Sequence, residues 1–283
     1  MKKEILLAAT IILFTAFFAQ AQEGELTGTL DVTYRSAYTW YGIDRTVGVH
    51  GRGFTESTLD LDLYGTGLGA SVKWMLPNTS KVPGSGSMVN AEELWLTLTY
   101  SGSYLEYETY TTNYTVGWTY YDFPDEPSSI NDTQELFASL SWPEICPAGV
   151  VPSYTLVRMW KSESGPHITS GPPVGSNPTH DISGWVHIAG LGYDMPVEDL
   201  LPDLPEQILH LTAALVYNDG AGLSGVDHDF SHFVLGVSTD FDLGNNLTLT
   251  PGLYHQRVLE KSIRQYNKDK DLTWASVGLK YAF

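Results

Sequence analysis

The last residues of the chain, Ser276-Val277-Gly278-Leu279-Lys280-Tyr281-Ala282-Phe283, put Val277, Leu279, Tyr281 and Phe283 on one side of an extended strand and Ser276, Gly278, Lys280 and Ala282 on the other. Side chains on a strand alternate faces with period two, so one face is continuously apolar and the other is polar or small. Two architectures use such a strand. One is a half-buried strand of a soluble antiparallel sheet. The other is the closing strand of a bacterial outer-membrane barrel, which usually finishes on an aromatic residue. The rest of the chain decides between them.

The start of the chain reads as an export signal. Lys2 and Lys3 give a positive n-region, Ile5 to Ala19 is free of charge and proline, and Ala19-Gln20-Ala21 is a small-residue cleavage site before Gln22. The apolar run is shorter than the roughly 20 residues of a spanning helix, so residues 1–21 are expected to be a cleaved signal peptide and 22–283 the mature domain. Their removal leaves 13 basic against 32 acidic residues and a net charge of −19. Nucleic acid is therefore not an expected partner, since phosphate binding needs clustered Lys and Arg. The one cysteine, Cys146, excludes an intramolecular disulfide framework and falls in a proline-flanked turn. No linker or low-complexity tract divides the chain, which favours one large all-β domain.

The period-two pattern recurs twelve times after Gln22, near 26–38, 54–64, 67–76, 91–100, 112–123, 134–142, 151–160, 183–195, 207–217, 229–241, 246–258 and 271–283. Leu94, Leu96, Leu98 and Tyr100 oppose Glu93, Trp95, Thr97 and Thr99. Leu136, Ala138, Leu140 and Trp142 oppose Glu135, Phe137, Ser139 and Ser141. An even count is what a single-chain bacterial barrel requires. The links alternate as well. Those at 39–53, 77–90, 124–133, 161–182, 218–228 and 259–270 are long, and those at 65–66, 101–111, 143–150, 196–206 and 242–245 tend to be short. Long extracellular loops and short periplasmic turns are the asymmetry of an outer-membrane barrel, and they put both termini in the periplasm. Tyr100, Trp142, Tyr193, Phe241 and Phe283 each close a descending strand on its apolar face, as an aromatic girdle at a membrane boundary does. The expected fold is a single antiparallel transmembrane β-barrel of about twelve strands. The competing fold, a soluble sandwich, would bury the same apolar faces between two sheets.

In a barrel the face opposite the lipid lines the lumen. Its charged members are then Asp31, Arg35, Glu56, Asp60, Asp62, Lys73, Glu93, Glu135, Asp240 and Lys280, and Arg158 adds a further positive charge if it, and not Met159, is the inward residue of the strand at 151–160. Seven of these ten are acidic, and acidic rings favour cations in a pore, so a weak cation preference is expected. The same charges could instead pair across the lumen and leave it poorly conducting. Twelve strands lie between filled eight-stranded barrels and water-filled porins, so size leaves conductance open. Asp227, His228, Asp229 and His232 form the densest group of possible metal ligands. The two histidines stand four residues apart on one strand face, about 13 Å at the usual rise, too far to share an ion, and no metal or cofactor is expected. Catalysis is not expected either. The outer-membrane phospholipase uses a His-x-Ser pairing, and serine follows none of the eight histidines at that spacing.

Several short motifs resemble the TorF-type porins. Val32-Thr33-Tyr34-Arg35-Ser36-Ala37-Tyr38-Thr39-Trp40-Tyr41-Gly42-Ile43 is similar to that family's first strand and loop, with Tyr41 where arginine is usual. Val116-Gly117-Trp118-Thr119-Tyr120-Tyr121-Asp122-Phe123-Pro124, Gln134-Glu135-Leu136 and Asp229-Phe230-Ser231-His232-Phe233 resemble later segments. The resemblance implies an outer-membrane barrel for passive uptake, and it supplies no substrate and no catalytic residues. The expected function is a diffusion channel for small hydrophilic solutes, with loops 39–53 and 161–182 the candidates to fold over or into the mouth. Expected partners are outer-membrane lipid, the barrel-assembly machinery through the C-terminal strand, and small solutes. A non-conducting structural or adhesive barrel is the alternative, and a lipid hydrolase a distant third.

Overall fold

The computed structural model of the protein describes residues 25–45, 53–78, 92–124, 132–146, 149–162, 183–197, 207–222, 226–264 and 271–283. The proposed signal segment and most of loops 77–90, 161–182 and 196–206 lie outside these residues. In chain order the strands are β1 (Thr27–Arg35), β2 (Thr39–Trp40), β3 (Ile43–Asp44), β4 (Phe54–Asp62), β5 (Leu68–Pro77), β6 (Glu93–Tyr104), β7 (Thr112–Asp122) and β8 (Thr133–Ser141). They continue as β9 (Val150–Lys161), β10 (Gly184–Val197), β11 (Gln207–Asp219), β12 (Asp229–Thr239), β13 (Phe241–Gly244), β14 (Leu247–Val258) and β15 (Asp271–Ala282), with one helical turn, α1 (Lys261–Arg264), between the last two.

Every neighbouring pair in the large sheet is antiparallel, and the order β12-β11-β10-β9-β8-β7-β6-β5-β4-β1-β15-β14-β13 closes on itself through a β12–β14 pairing. β13 continues the line of β12 after a break at Asp240, because Ser238↔Gly252 and Phe241↔Leu249 keep one register against β14. The result is a closed barrel of twelve staves with no free edge, the condition under which strands can cross lipid. Leu30, Val72, Leu96, Leu98, Val116, Leu191, Leu235, Leu253, Val277 and Leu279 are all solvent-exposed apolar residues on the outer face. An exposed apolar belt around a closed barrel has one natural solvent, the acyl chains of a bilayer.

The described chain begins and ends at one rim, where Gly28 and Phe283 exchange backbone hydrogen bonds of 2.9 and 3.0 Å. The short turns at 63–67, 105–111 and 245–246 lie at this same end. The tightest joins β13 to β14 through Asn245 and Asn246, both at positive φ (54° and 63°), as a two-residue hairpin turn demands. The strand ends that the long links join lie at the opposite end, and the described part of the first link does not stay outside. After Arg35 the chain turns inward. Ser36 Oγ accepts a hydrogen bond from Ala275 N, and the small hairpin β2–β3 enters the bore with Tyr38, Trp40 and Ile43 all buried. The barrel's principal apolar core is therefore inside its loop-end half. Tyr38 and Trp40 pack with Phe54, Met75, Val157, Met159, Val186, Val216 and Ala221. A satellite cluster of Val226, Val258 and Ile263 seats α1 against the top of β14.

Candidate functional site

The hairpin is anchored to staves on opposite sides of the bore, which is why it crosses the lumen instead of lining one wall. On β6, Glu93 accepts hydrogen bonds from Tyr38 Oη at 3.0 Å and Trp95 Nε1 at 3.1 Å, and pairs with Arg45 at 3.2 Å. On β14, Gln256 Nε2 donates to the Gly42 carbonyl at 2.9 Å. Trp40 meets Tyr121 of β7 edge-on with ring centres 6.1 Å apart. Tyr41 reaches Glu135 of β8, and Gly42 lies against the His232 ring of β12. Burial, reinforced by the neighbouring carboxylates, holds the phenols of Tyr38 and Tyr41 in this connection well above their ordinary pKa, so both stay donors.

Below the hairpin a cavity of about 670 Å³ runs toward the chain-terminal rim. One side of its wall is charged, with Asp31, Arg35, Glu56, Asp60, Lys73 and Lys280. Glu56 neutralises two of the cations at once, Arg35 at 3.0 Å and Lys73 at 3.2 Å. The facing side is hydroxyl-rich. Thr97 and Thr119 bond across β6–β7 at 3.0 Å, and Ser139 and Thr155 across β8–β9 at 2.6 Å. Between hairpin and cavity stand Trp95, Tyr121, Phe137 and Glu135.

Seven of the ten charged positions read from the sequence, Asp31, Arg35, Glu56, Asp60, Lys73, Glu135 and Lys280, border this cavity. The other three are placed differently. Glu93 is consumed by the hairpin. Asp62 ends β4 and accepts Gly65 N at 2.8 Å, a turn-capping contact. Asp240 lies in the break between β12 and β13, accepting Thr250 Oγ1 at 2.5 Å with His210 Nε2 3.8 Å away. Arg158 is a correction. Its neighbours Val157 and Met159 are buried in the bore, so alternation turns Arg158 outward, where it lies 5.3 Å over the Trp185 ring. The histidine group is also rearranged. His228 precedes the strand and is exposed, with Asp219 at 2.6 Å and Asp227 at 3.5 Å, whereas His232 is buried in the bore beside Ser231. Asp219 was missed because it closes the preceding strand, beyond the reach of a local motif.

Tyr100 and Phe283 are exposed on the outer face, and alternation puts Trp142, Tyr193 and Phe241 on the same face. A second set of exposed outward aromatics, Tyr34, Trp74, Trp185 and Phe230, stands near the loop end. It is legible in the same alternation, at the ends of ascending strands for Tyr34 and Trp74 and at the starts of descending ones for Trp185 and Phe230. Arg45 and the pair Asp194–His210 (2.7 Å) were missed as lumen groups, the first because it arrives on the hairpin.

A closed antiparallel barrel with a lipid-compatible exterior and a polar interior defines a transmembrane protein of the bacterial outer membrane. No protein-family model matches the chain, and no curated protein does. Solved structures do match in fold. The NanC porin superposes with a TM-score of 0.50 at 11 % identity, over 90 % of this chain and 98 % of that one. The KdgM porin in complex with disordered oligogalacturonate gives 0.46 at 10 % identity, covering 90 % and 99 %. Outer membrane phospholipase A from Escherichia coli gives 0.45 at 14 % identity, covering 89 % and 92 %.

Proposed function

We propose that the chain is an outer-membrane diffusion channel for small hydrophilic solutes, narrowed by the β2–β3 hairpin and weakly cation-preferring. The observation that carries this reading is the polar cavity inside the closed wall, about 670 Å³ in volume and lined by charged and hydroxyl side chains. A lumen with no transport role has no need of an unfilled polar interior, since packing it with apolar side chains would bury more surface. The cavity's charged lining holds four acids, Asp31, Glu56, Asp60 and Glu135, against three bases, two of which are tied to Glu56. The balance left for a passing ion is slightly negative, which supports cation preference of modest size.

In this reading residues 1–21 are removed on export, the chain-terminal rim faces the periplasm, and the C-terminal strand is what the assembly machinery engages. Tyr100, Trp142, Tyr193, Phe241 and Phe283 form the periplasmic-side girdle. The TorF-type motifs favour the same assignment. Tyr41, standing at that family's arginine position, supplies a phenol at the cavity roof instead of a fixed positive charge.

One observation favours a second reading, that of a non-conducting structural barrel: the hairpin is hydrogen-bonded to staves on opposite sides of the bore, β6 and β14. Liposome swelling decides between them. Vesicles carrying the refolded barrel should swell in a pentose and more slowly in a disaccharide. Folded, inserted barrels that give no swelling with any solute would reject the channel.

A further inference from the structure

Glu135 is only 4 % exposed, and its carboxylate holds the Tyr41 and Tyr121 phenols without filling both of its oxygens. Oε2 accepts the Tyr121 hydroxyl at 2.6 Å, while Oε1 has no hydrogen-bond partner among the described residues. The residue nevertheless belongs to the wall of the cavity, at the point where the cavity meets the hairpin. A buried carboxylate oxygen without a donor costs free energy. A ligand that brings an N–H to it recovers that loss. The surrounding wall narrows the choice of ligand. Tyr41, Trp95, Tyr121 and Phe137 border the same cavity, and the Trp95 and Tyr121 rings meet edge-on at 4.7 Å. Aromatic faces attract cations, and this wall already holds one: Lys73 Nζ lies 4.7 Å over the Trp95 ring. A bare metal ion fits less well. Hard cations take six or more oxygens, and among the described residues the one group of three ligating side chains, Asp219, Asp227 and His228, lies elsewhere, on the link between β11 and β12.

We propose that the cavity beneath the hairpin is a binding site for a small organic cation bearing a primary ammonium. Its N–H meets Glu135 Oε1, and its carbon skeleton lies against Trp95, Tyr121 and Phe137. The proposal names a solute class for the cavity of the proposed channel and rests on that reading. Binding and current are nevertheless separate measurements. A silent barrel that binds would sink the channel alone, and a conducting barrel that does not bind would sink this site alone.

The test is isothermal titration calorimetry of the refolded barrel, residues 22–283, in detergent, with n-butylammonium chloride as probe and tetramethylammonium and sodium chlorides as comparisons. The expected result is one saturable event for n-butylammonium. Tetramethylammonium, which has no N–H, should bind at least tenfold more weakly, and so should n-butylammonium to E135Q. Heat-modifiable gel mobility establishes that the variant is folded. Should it not fold, Trp95→Leu keeps the carboxylate and removes one wall, and at least a threefold loss of affinity is expected there. The proposal is overturned by the absence of a saturable event with the native chain, by unchanged affinity in a folded variant, or by sodium competing at equal concentration.

Discussion

Gly42 is the residue on which the position of the hairpin turns, and its replacement by alanine gives the account a quantitative test. Its φ is +84°, and a Cβ there would stand 2.6 Å from His232 Nδ1 and 3.0 Å from the ring carbon Cγ. The histidine cannot yield freely, because it is buried and Nδ1 is 2.8 Å from Ser231 Oγ. Left-handed backbone costs an alanine about 1–2 kcal/mol, and overpacking a filled site adds about 1–3. A combined cost of roughly 2–5 kcal/mol lowers the ratio of docked to undocked hairpin by roughly 30-fold to 4,000-fold. The barrel wall is held by its own ladders and should survive. Single-channel recording of Gly42→Ala in planar bilayers should then show large-amplitude openings at least tens of times more often than in the native chain. If the folded variant has the same step size and opening frequency as the native protein, the hairpin does not set the current, and the reasoning from its anchors fails.

Three further outcomes are expected. Asp60→Asn should move the reversal potential in a salt gradient toward zero, whereas Asp62→Asn should leave selectivity alone and cost roughly 1 kcal/mol through the lost turn contact to Gly65; equal shifts in the two variants would contradict the placement. Glu93→Gln strips a buried carboxylate from Arg45, Tyr38 and Trp95, and removing one partner of a buried pair costs about 3–5 kcal/mol, so the variant should show noisier current and a lower unfolding midpoint in urea. Leu279→Arg puts a charge on the outer face at a site 42 % exposed in water, and lipid should penalise it by about 2–4 kcal/mol near the midplane. Its folding yield into vesicles should therefore drop well below that of Lys280→Leu, and equal yields would refute a lipid-facing Leu279.

The wall of the barrel was legible because lipid on one side and water on the other force period-two alternation on every stave. The strand at 271–283 was read one residue longer than β15, and the strand at 207–217 two residues shorter than β11. The hairpin was not legible for the same reason. Tyr34, Ser36, Tyr38 and Trp40 continue the alternating pattern past Arg35, so the first strand was read through residue 38. An aromatic side chain entering an apolar bore looks, in sequence, like one entering lipid. The extension of β6 to Tyr104 was hidden by the opposite effect. Ser101 and Ser103 pair with Thr115 and Asn113 across a polar ladder at 2.9 and 2.7 Å, which carries no apolar signal. On the strand at 151–160 the pattern lets Arg158 and Met159 each be argued inward, and what draws Arg158 outward, the Trp185 ring, comes from the next strand. The partition of charges between hairpin and cavity depends on contacts such as Arg45 to Glu93, across 48 residues of chain, which no local pattern encodes.

The most direct test of the channel is the current itself, recorded from the refolded barrel in a planar bilayer with a salt gradient across it. Discrete steps, smaller than those of a variant whose hairpin is loosened and reversing on the cation side, are the predicted result. A folded barrel that inserts and passes no current, with its hairpin native or loosened, would contradict the account and leave the structural barrel standing.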